Sequence, residues 1–236
     1  MLKFNLLIFG DTGWGDELLI SSIMTILVSL SAMGLGVFIA IFTAWAKISG
    51  NIVLKIIANF YTTVIRGVPE LLVIYLIFFG GSAGIMYISK IFGYHGYIEL
   101  HAFTMGTISI GIISAAYSTE VFRGAYNIID KGQVEAARSL GLSKINTFIK
   151  ILAPQILKHA LPGLGNVWQI TLKDTALISV TGLVEIMRQS RIAANVTHSP
   201  LTFYLAAAVL YLILTTFSSK AFNKLEDYSN KNQVKA

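Results

Sequence analysis

Six charged residues stand inside or beside long apolar stretches of the sequence. The carboxylates are Glu70, Glu120 and Asp174, and the cations are Arg66, Arg123 and Lys173. A charged side chain at the centre of a lipid bilayer costs at least about 2.5 kcal/mol unless something compensates it. Such residues therefore either pair with one another to support the structure or contact a charged substrate.

Two of these charges are spaced as a structural pair. Glu120 and Arg123 are three residues apart, which places them side by side on a helix and favours an ion pair. Arg66 and Glu70 are similarly spaced, but a proline at position 69 disturbs the helix between them. We predict a helix interrupted at residues 67–69, whose free backbone groups face a cavity and suit a zwitterion.

A polar face is predicted on a later helix. Its residues recur at spacings of three and four, and they are Trp168, Thr171, Thr175, Ser179 and Gly182. Asp174 borders this face, whereas Lys173 points about 100° away from it. Two interpretations remain open. The hydroxyl groups either join neighbouring helices, or the face lines a pathway in which Asp174 receives the ammonium group of an amino acid.

The composition of the whole chain indicates a membrane protein. Of 236 residues, 55% are hydrophobic and 13% are charged, and the mean hydropathy is +0.69. A soluble domain needs more charge on its surface. Because about 20 apolar residues span a bilayer as a helix, we predict an all-α integral membrane domain over 1–236. Its five transmembrane helices lie within residues 18–46, 71–89 (preceded by 56–68), 102–119, 160–184 and 192–219.

The lysine and arginine residues predict an orientation. With the N-terminus outside and the C-terminus in the cytoplasm, thirteen of the 18 basic residues lie inside, four lie outside, and Lys173 is intramembrane. This excess agrees with the positive-inside rule, so the net charge of +6 does not indicate nucleic-acid binding. The N-terminus lacks the basic start of a cleaved signal peptide.

The orientation places a polar loop, residues 125–160, in the cytoplasm. Ala136 and Ala137 are small and favour a helix that inserts closely into a partner, and Leu140 shares their face. Gly141 suits the left-handed position after that helix. A serine at position 143 then caps a second helix, which Pro154 limits at residue 152.

This loop resembles the EAA loop of ABC-transporter permeases. Residues 135–141 read Glu-Ala-Ala-Arg-Ser-Leu-Gly, and after nine residues 151–154 read Ile-Leu-Ala-Pro, with Ala153 where the pattern has leucine. Residues 66–72 and 117–124 are similar to the R-G-(T/V)-P-x-L and A-Y-x-x-E-x-x-R-G segments of polar amino-acid permeases. Residues 161–169 and 172–179 are similar to the remaining signatures. The resemblance covers residues 15–228 and is closest to the histidine, lysine, arginine, ornithine and opine branch.

The resemblance implies a type I ABC importer fold and a division of labour. The residues that couple to the ATPase would be Glu135, Ala136, Ala137, Leu140, Gly141 and Pro154. The substrate pathway would hold Gly67, Pro69, Glu70, Tyr117, Glu120, Trp168, Thr171, Asp174, Thr175 and Ser179. The implied partners are a second homologous permease, a homodimeric ATP-binding subunit that holds ATP and Mg, and an extracytoplasmic substrate-binding protein. The implied location is the bacterial inner membrane.

Other classes of protein find little support. No glycine–lysine dipeptide occurs, so the chain has no P-loop and no catalytic role in ATP hydrolysis is expected. It contains no cysteine, and its four histidines, among them His95, are scattered, so no metal site is predicted. A secondary amino-acid carrier that works without an ATPase remains an alternative, although no inverted repeat is evident.

Overall fold

A computed structural model of the protein describes residues 3–10, 12–94, 96 and 101–231, and all regular structure within them is helical. The first helices are α1 (Gly15–Ile48), α2 (Ile52–Gly67), α3 (Glu70–Tyr75), α4 (Gly81–Ile91) and α5 (Ala102–Ile128). The later helices are α6 (Lys131–Ser139), α7 (Lys144–Thr147), α8 (Ala153–Asp174), α9 (Ile186–Thr197) and α10 (Pro200–Lys231). His95, and parts of the predicted external loop and C-terminal tail, lie outside the described residues.

Three helical segments of the described residues are long and apolar enough to cross a membrane: Gly15–Ile48, Glu70–Ile91 and Pro200–Ser229. The second of these joins α3 to α4 through a π-helical turn, Leu76–Gly80. Helices α5 and α8 have 27 and 22 residues, which is sufficient length. Helix α5 is less apolar because it has many small and hydroxylated residues, and α8 because it has amide, histidine and charged side chains. The predicted count of five spans is therefore not confirmed by hydropathy.

Helices α1 and α5 form the most intimate contact in the fold. Small residues line it on both sides, among them Ala32 and Gly36 of α1 and Gly111 and Ser114 of α5. A Cβ atom built on Gly36 would lie 2.8 Å from the Ser114 Oγ and 3.1 Å from a carbonyl oxygen of α5. Since lipid tails are as apolar as side chains, helices associate in a membrane through such close packing of small residues.

An ionic network centred on the buried Lys47 joins α1, α2 and α5. Lys47 Nζ of α1 lies 2.5 Å from Glu120 Oε1 of α5 and 2.5 Å from Thr62 Oγ1 of α2. Arg123 binds the other carboxylate oxygen of Glu120 at 2.7 Å, which confirms the predicted Glu120–Arg123 pair. Lys47 carries no sequence signal for this role, because its partners come from distant positions in the chain.

The predicted helix over residues 160–184 ends earlier than expected. Helix α8 stops at Asp174, and residues Thr175–Thr181 form a 3₁₀ segment that ends at Gly182 with φ 103°. The Thr175 hydroxyl donates to the carbonyl of Leu172, a local bond that competes with a regular helix. The prediction of one α-helical polar face from Trp168 to Gly182 is therefore wrong beyond Asp174.

The predicted fifth span, residues 192–219, is also divided. Its first residues belong to α9, which ends at Thr197, and α10 begins at Pro200. His198 between them is left-handed, with φ 52°. Proline removes a backbone donor and disfavours helical conformation in the residue before it, so the two helices are separate.

The α1–α5 contact predicts that alanine substitutions at two glycines of α1 will differ in their effect on stability. Gly36→Ala places a methyl group where Ser114 already lies, whereas a Cβ on Gly34 meets nothing within 4 Å. We expect Gly36→Ala to destabilise the purified protein by about 1–3 kcal/mol, as overpacking does. Thermal unfolding in detergent measures the effect, with Gly34→Ala as the matched control. Equal unfolding temperatures for the two variants would contradict the assigned packing.

Candidate functional site

The interruption predicted at residues 67–69 is present and opens the candidate site. Helix α2 ends at Gly67, Val68 is extended, and Pro69 precedes the first residue of α3, Glu70. Gly67 and Pro69 are exposed in this chain, and Glu70 is half-buried. The break allows the chain to turn so that Arg66 and Glu70 both approach α5.

Both residues contact the same tyrosine. The Tyr117 hydroxyl of α5 donates to Glu70 Oε1 at 3.2 Å. The guanidinium carbon of Arg66 lies 5.4 Å from the centre of the Tyr117 ring, which is a cation–π arrangement. Arg66 and Glu70, which sequence spacing left as a possible pair, are thus connected through Tyr117.

Asp174, the last residue of α8, lies near this arrangement. It is half-buried and lies within electrostatic range of Glu70, which repels it, and of Lys173, which attracts it. Tyr117 also lies within electrostatic range of Asp174. We call Arg66, Glu70, Tyr117 and Asp174 the central cluster, which contains two carboxylates and one guanidinium.

The other predicted pathway residues on α5, α8 and the 3₁₀ segment are buried or half-buried. Trp168 is buried, and its ring centre lies 6.3 Å from that of Phe222. Thr171 and Thr175 are also buried. Ser179 is half-buried in the 3₁₀ segment. Glu120 belongs to the ionic network with Lys47, so both its oxygens are already engaged.

Glu185 is a buried carboxylate that no sequence pattern indicated. It is 0% exposed and caps α9 by accepting hydrogen bonds from the backbone N–H groups of Met187 and Arg188, at 2.8 and 2.7 Å. Tyr211 of α10 donates to the same carboxylate at 2.9 Å. The only available signal was an acidic residue shortly after Gly182, and glutamate is not among the preferred capping residues.

The predicted helix–turn–helix of the loop is present. Gly141 has φ 80° after α6, and the Ser143 side chain caps α7 by accepting from the backbone N–H of Asn146. The prediction that Pro154 limits the second helix is wrong, because α7 continues through a π-helical turn, Phe148–Leu152, directly into α8. The wider turn accommodates the proline ring and its missing N–H.

The loop presents an exposed apolar surface. Leu140 is 82% exposed and Ile145 is 71% exposed, and Glu135 and Ala136 are exposed beside them. Ala137 is 2% exposed and packs within the chain, so it supports the turn from the inside. We call the exposed residues Glu135, Ala136, Leu140 and Ile145 the loop surface. Within the described part of the chain, no group of three or more acidic, histidine or cysteine residues is arranged to hold a metal ion.

Comparison with known proteins identifies the family. Residues 32–227 match the model of the binding-protein-dependent transport system inner membrane component. The chain is 46% identical over 231 residues to the nopaline transport system permease protein NocQ of Agrobacterium fabrum, covering 98% of each chain. It is 36% identical over 214 residues to the histidine/lysine/arginine/ornithine transport system permease protein HisQ of Escherichia coli, covering 91% of this chain and 93% of that protein.

A solved structure agrees with these relatives. A crystal structure of an amino acid ABC transporter with histidines superposes with a TM-score of 0.78 and 32% sequence identity, covering 91% of this chain and 95% of the other. The fold is therefore the all-helical type I ABC permease fold, in a multi-pass membrane protein. The chain belongs to the family of binding-protein-dependent transport system inner membrane components, among the permease subunits of polar amino-acid ABC importers.

Proposed function

We propose that this permease carries a basic amino acid into the cytoplasm by alternating access, driven by ATP hydrolysis on a partner ATPase. The names of its relatives support this substrate class, because HisQ serves histidine, lysine, arginine and ornithine and NocQ serves an opine. ATP and Mg bind the partner, and this chain needs no cofactor of its own. A second homologous permease, similar or identical, completes the pathway, and an extracytoplasmic binding protein delivers the substrate.

The observation that carries the substrate proposal is the charge of the central cluster. A basic amino acid has an α-ammonium, an α-carboxylate and a cationic side chain. The cluster offers the complementary set, since Glu70 and Asp174 attract the two cations and Arg66 attracts the carboxylate. A neutral amino acid would leave one of the two carboxylates uncompensated, and unpaired buried charge is costly.

The exposure of the cluster supports a pathway shared with another subunit. Arg66 is exposed, and Glu70, Tyr117 and Asp174 are only half-buried in the isolated chain. Such a group of charges would be costly if it faced lipid. A second permease packed over this side would shield the cluster from the bilayer and leave it open to a substrate.

Asp174→Asn removes one negative charge and keeps the shape of the side chain. We expect uptake of arginine and lysine by the assembled complex to weaken about 10- to 100-fold, the loss expected for one hydrogen bond to a charged group. Basal ATPase activity should persist, because the loop surface is unchanged. Uptake and ATP hydrolysis in proteoliposomes measure both effects, and Asp227→Asn, at an exposed position of α10, is the matched control.

Two results would count against this role. Unchanged uptake in a well-expressed Asp174→Asn complex would remove Asp174 from the substrate site. Loss of expression that Lys173→Met partly restores would instead indicate that Asp174 only balances its neighbour, because the pair would then be replaced together.

The loop surface is the proposed contact with the ATPase. Leu140 and Ile145 are large apolar side chains left exposed on a polar loop, as is typical of a surface that a partner covers. Gly141 sets the angle between α6 and α7. Closure of an ATPase dimer would draw two such loops together and tip the attached helices between inward-open and outward-open states.

Gly141→Val tests whether the turn between α6 and α7 transmits the motion of the ATPase. A β-branched residue resists the left-handed conformation, although space for it exists, so the turn should change direction. We expect membrane insertion to survive, while ATPase copurification or transport falls at least about tenfold, since backbone strain of this kind costs on the order of 1–3 kcal/mol. Gly50→Val, also in open space but without positive φ, is the control. Normal transport by Gly141→Val would refute the proposal that this turn transmits the motion of the ATPase.

The proposed topology has five spans: α1, the composite helix of residues 70–91, α5, α8 and α10. The N-terminus lies outside and the loop surface lies in the cytoplasm. Because the chain contains no cysteine, a single Lys144→Cys substitution gives a clean probe. An impermeant thiol reagent should label it in inverted vesicles and leave it unlabelled in sealed cells. Labelling from outside sealed cells would reverse the orientation.

A further inference from the structure

A second buried polar network adjoins the central cluster. Its centre is Glu185, which is 0% exposed and accepts hydrogen bonds from two backbone N–H groups of α9 and from the Tyr211 hydroxyl. Its partners come from two helices, α9 and α10.

The network holds the 3₁₀ segment, residues 175–181, near both of its ends. At its start, the Thr175 hydroxyl lies 3.2 Å from the Tyr211 hydroxyl. Because the tyrosine proton is given to Glu185, the single Thr175 proton is divided between the carbonyl of Leu172 and the Tyr211 oxygen. Near its end, Arg188 Nη1 donates to the backbone carbonyl of Ser179 at 2.8 Å. Arg188 also donates its backbone N–H to Glu185, so one carboxylate organises both attachments.

The same network is also attached to α1. The backbone N–H of Ile186, the first residue of α9, donates to Thr25 Oγ1 of α1 at 3.3 Å. Both Thr25 and Thr175 are 0% exposed. Contacts with α9 and α10 therefore hold the 3₁₀ segment in place, and α9 is itself attached to α1. The first residue of the segment, Thr175, directly follows Asp174. A displacement of Thr175 would displace the Asp174 carboxylate.

We propose that Glu185 and Tyr211 are positioning residues for the substrate site. They fix Thr175 and the 3₁₀ segment, and thereby hold Asp174 where it meets the cationic substrate. The inference rests on the proposed role of Asp174. A short 3₁₀ segment has weaker backbone hydrogen bonds than an α-helix, so it requires such external support to keep a charged side chain in place.

The test is equilibrium binding of L-arginine to the purified permease–ATPase complex without the binding protein. Tyr211→Phe removes the hydroxyl and keeps the ring, and we expect the dissociation constant to rise about fivefold, as for the loss of one hydrogen bond. Tyr61→Phe is the matched control, because Tyr61 is likewise a half-buried tyrosine, which donates to the carbonyl of Ile112 at 2.6 Å. Its effect should appear in thermal stability and leave arginine binding unchanged.

A double-mutant cycle separates this inference from the proposed function. If Tyr211 acts through Asp174, Tyr211→Phe should have little further effect on binding in an Asp174→Asn background. If Asp174→Asn alone weakens binding while Tyr211→Phe does not, the positioning role is refuted and the substrate contact stands. If Asp174→Asn has no effect, the substrate contact is refuted, and the positioning role with it.

Two further results of the double-mutant cycle also test the positioning role of Tyr211. Equal, additive effects of Tyr211→Phe in both backgrounds would show that Tyr211 does not act through Asp174, and would overturn the proposal. If Tyr211→Phe prevents assembly of the complex, Thr175→Val removes the same hydrogen bond from its other side and replaces it in the cycle. The same non-additivity with Asp174→Asn is then the supporting result.

Discussion

The close contact between α1 and α5 is the interaction on which the rest of the structure depends. The two backbones can approach closely at Gly36 and Gly111 because glycine has no side chain. A Cβ atom at either position would collide with the other helix. In a bilayer this packing replaces the hydrophobic effect as the source of helix association. It also fixes the functional groups, since α5 carries Tyr117 of the central cluster and continues to the loop before α6. Tyr117 of the central cluster and the start of the loop are thus both fixed by the same helix, α5.

Two groups of charges in this fold are compensated in different ways. Glu120 has a cation on each carboxylate oxygen, Lys47 on one and Arg123 on the other, so its charge is fully used within the chain. Among the described residues, no ion pair joins Arg66 to Glu70 or links Asp174 to a cation. A closed network is expected where charge serves structure, whereas an open one retains attraction for a ligand. This contrast separates the structural carboxylate, Glu120, from the two that we propose to attract the substrate.

The sequence predicted features that depend on local chemistry and missed those that depend on distant neighbours. The break before Glu70 and the left-handed turn at Gly141 follow from proline and glycine, whose conformational limits act at their own positions. The buried roles of Lys47 and Glu185 depend on helices that are distant in the sequence, and periodicity carries no information on which of these helices meet. The wrong boundary at Pro154 has a different origin, since the π turn Phe148–Leu152, which helical periodicity does not reveal, accommodates the proline within a continuing helix.

The proposed function requires the central cluster to recognise two positive charges and one negative charge on the same small molecule. The most direct measurement compares the binding of L-arginine with that of L-citrulline, a near-isostere whose side chain is uncharged, to the assembled wild-type permease–ATPase complex. We expect arginine to bind at least about tenfold more tightly, which is the contribution of one charge-assisted hydrogen bond in a shielded site. Equal affinities for the two compounds would contradict it.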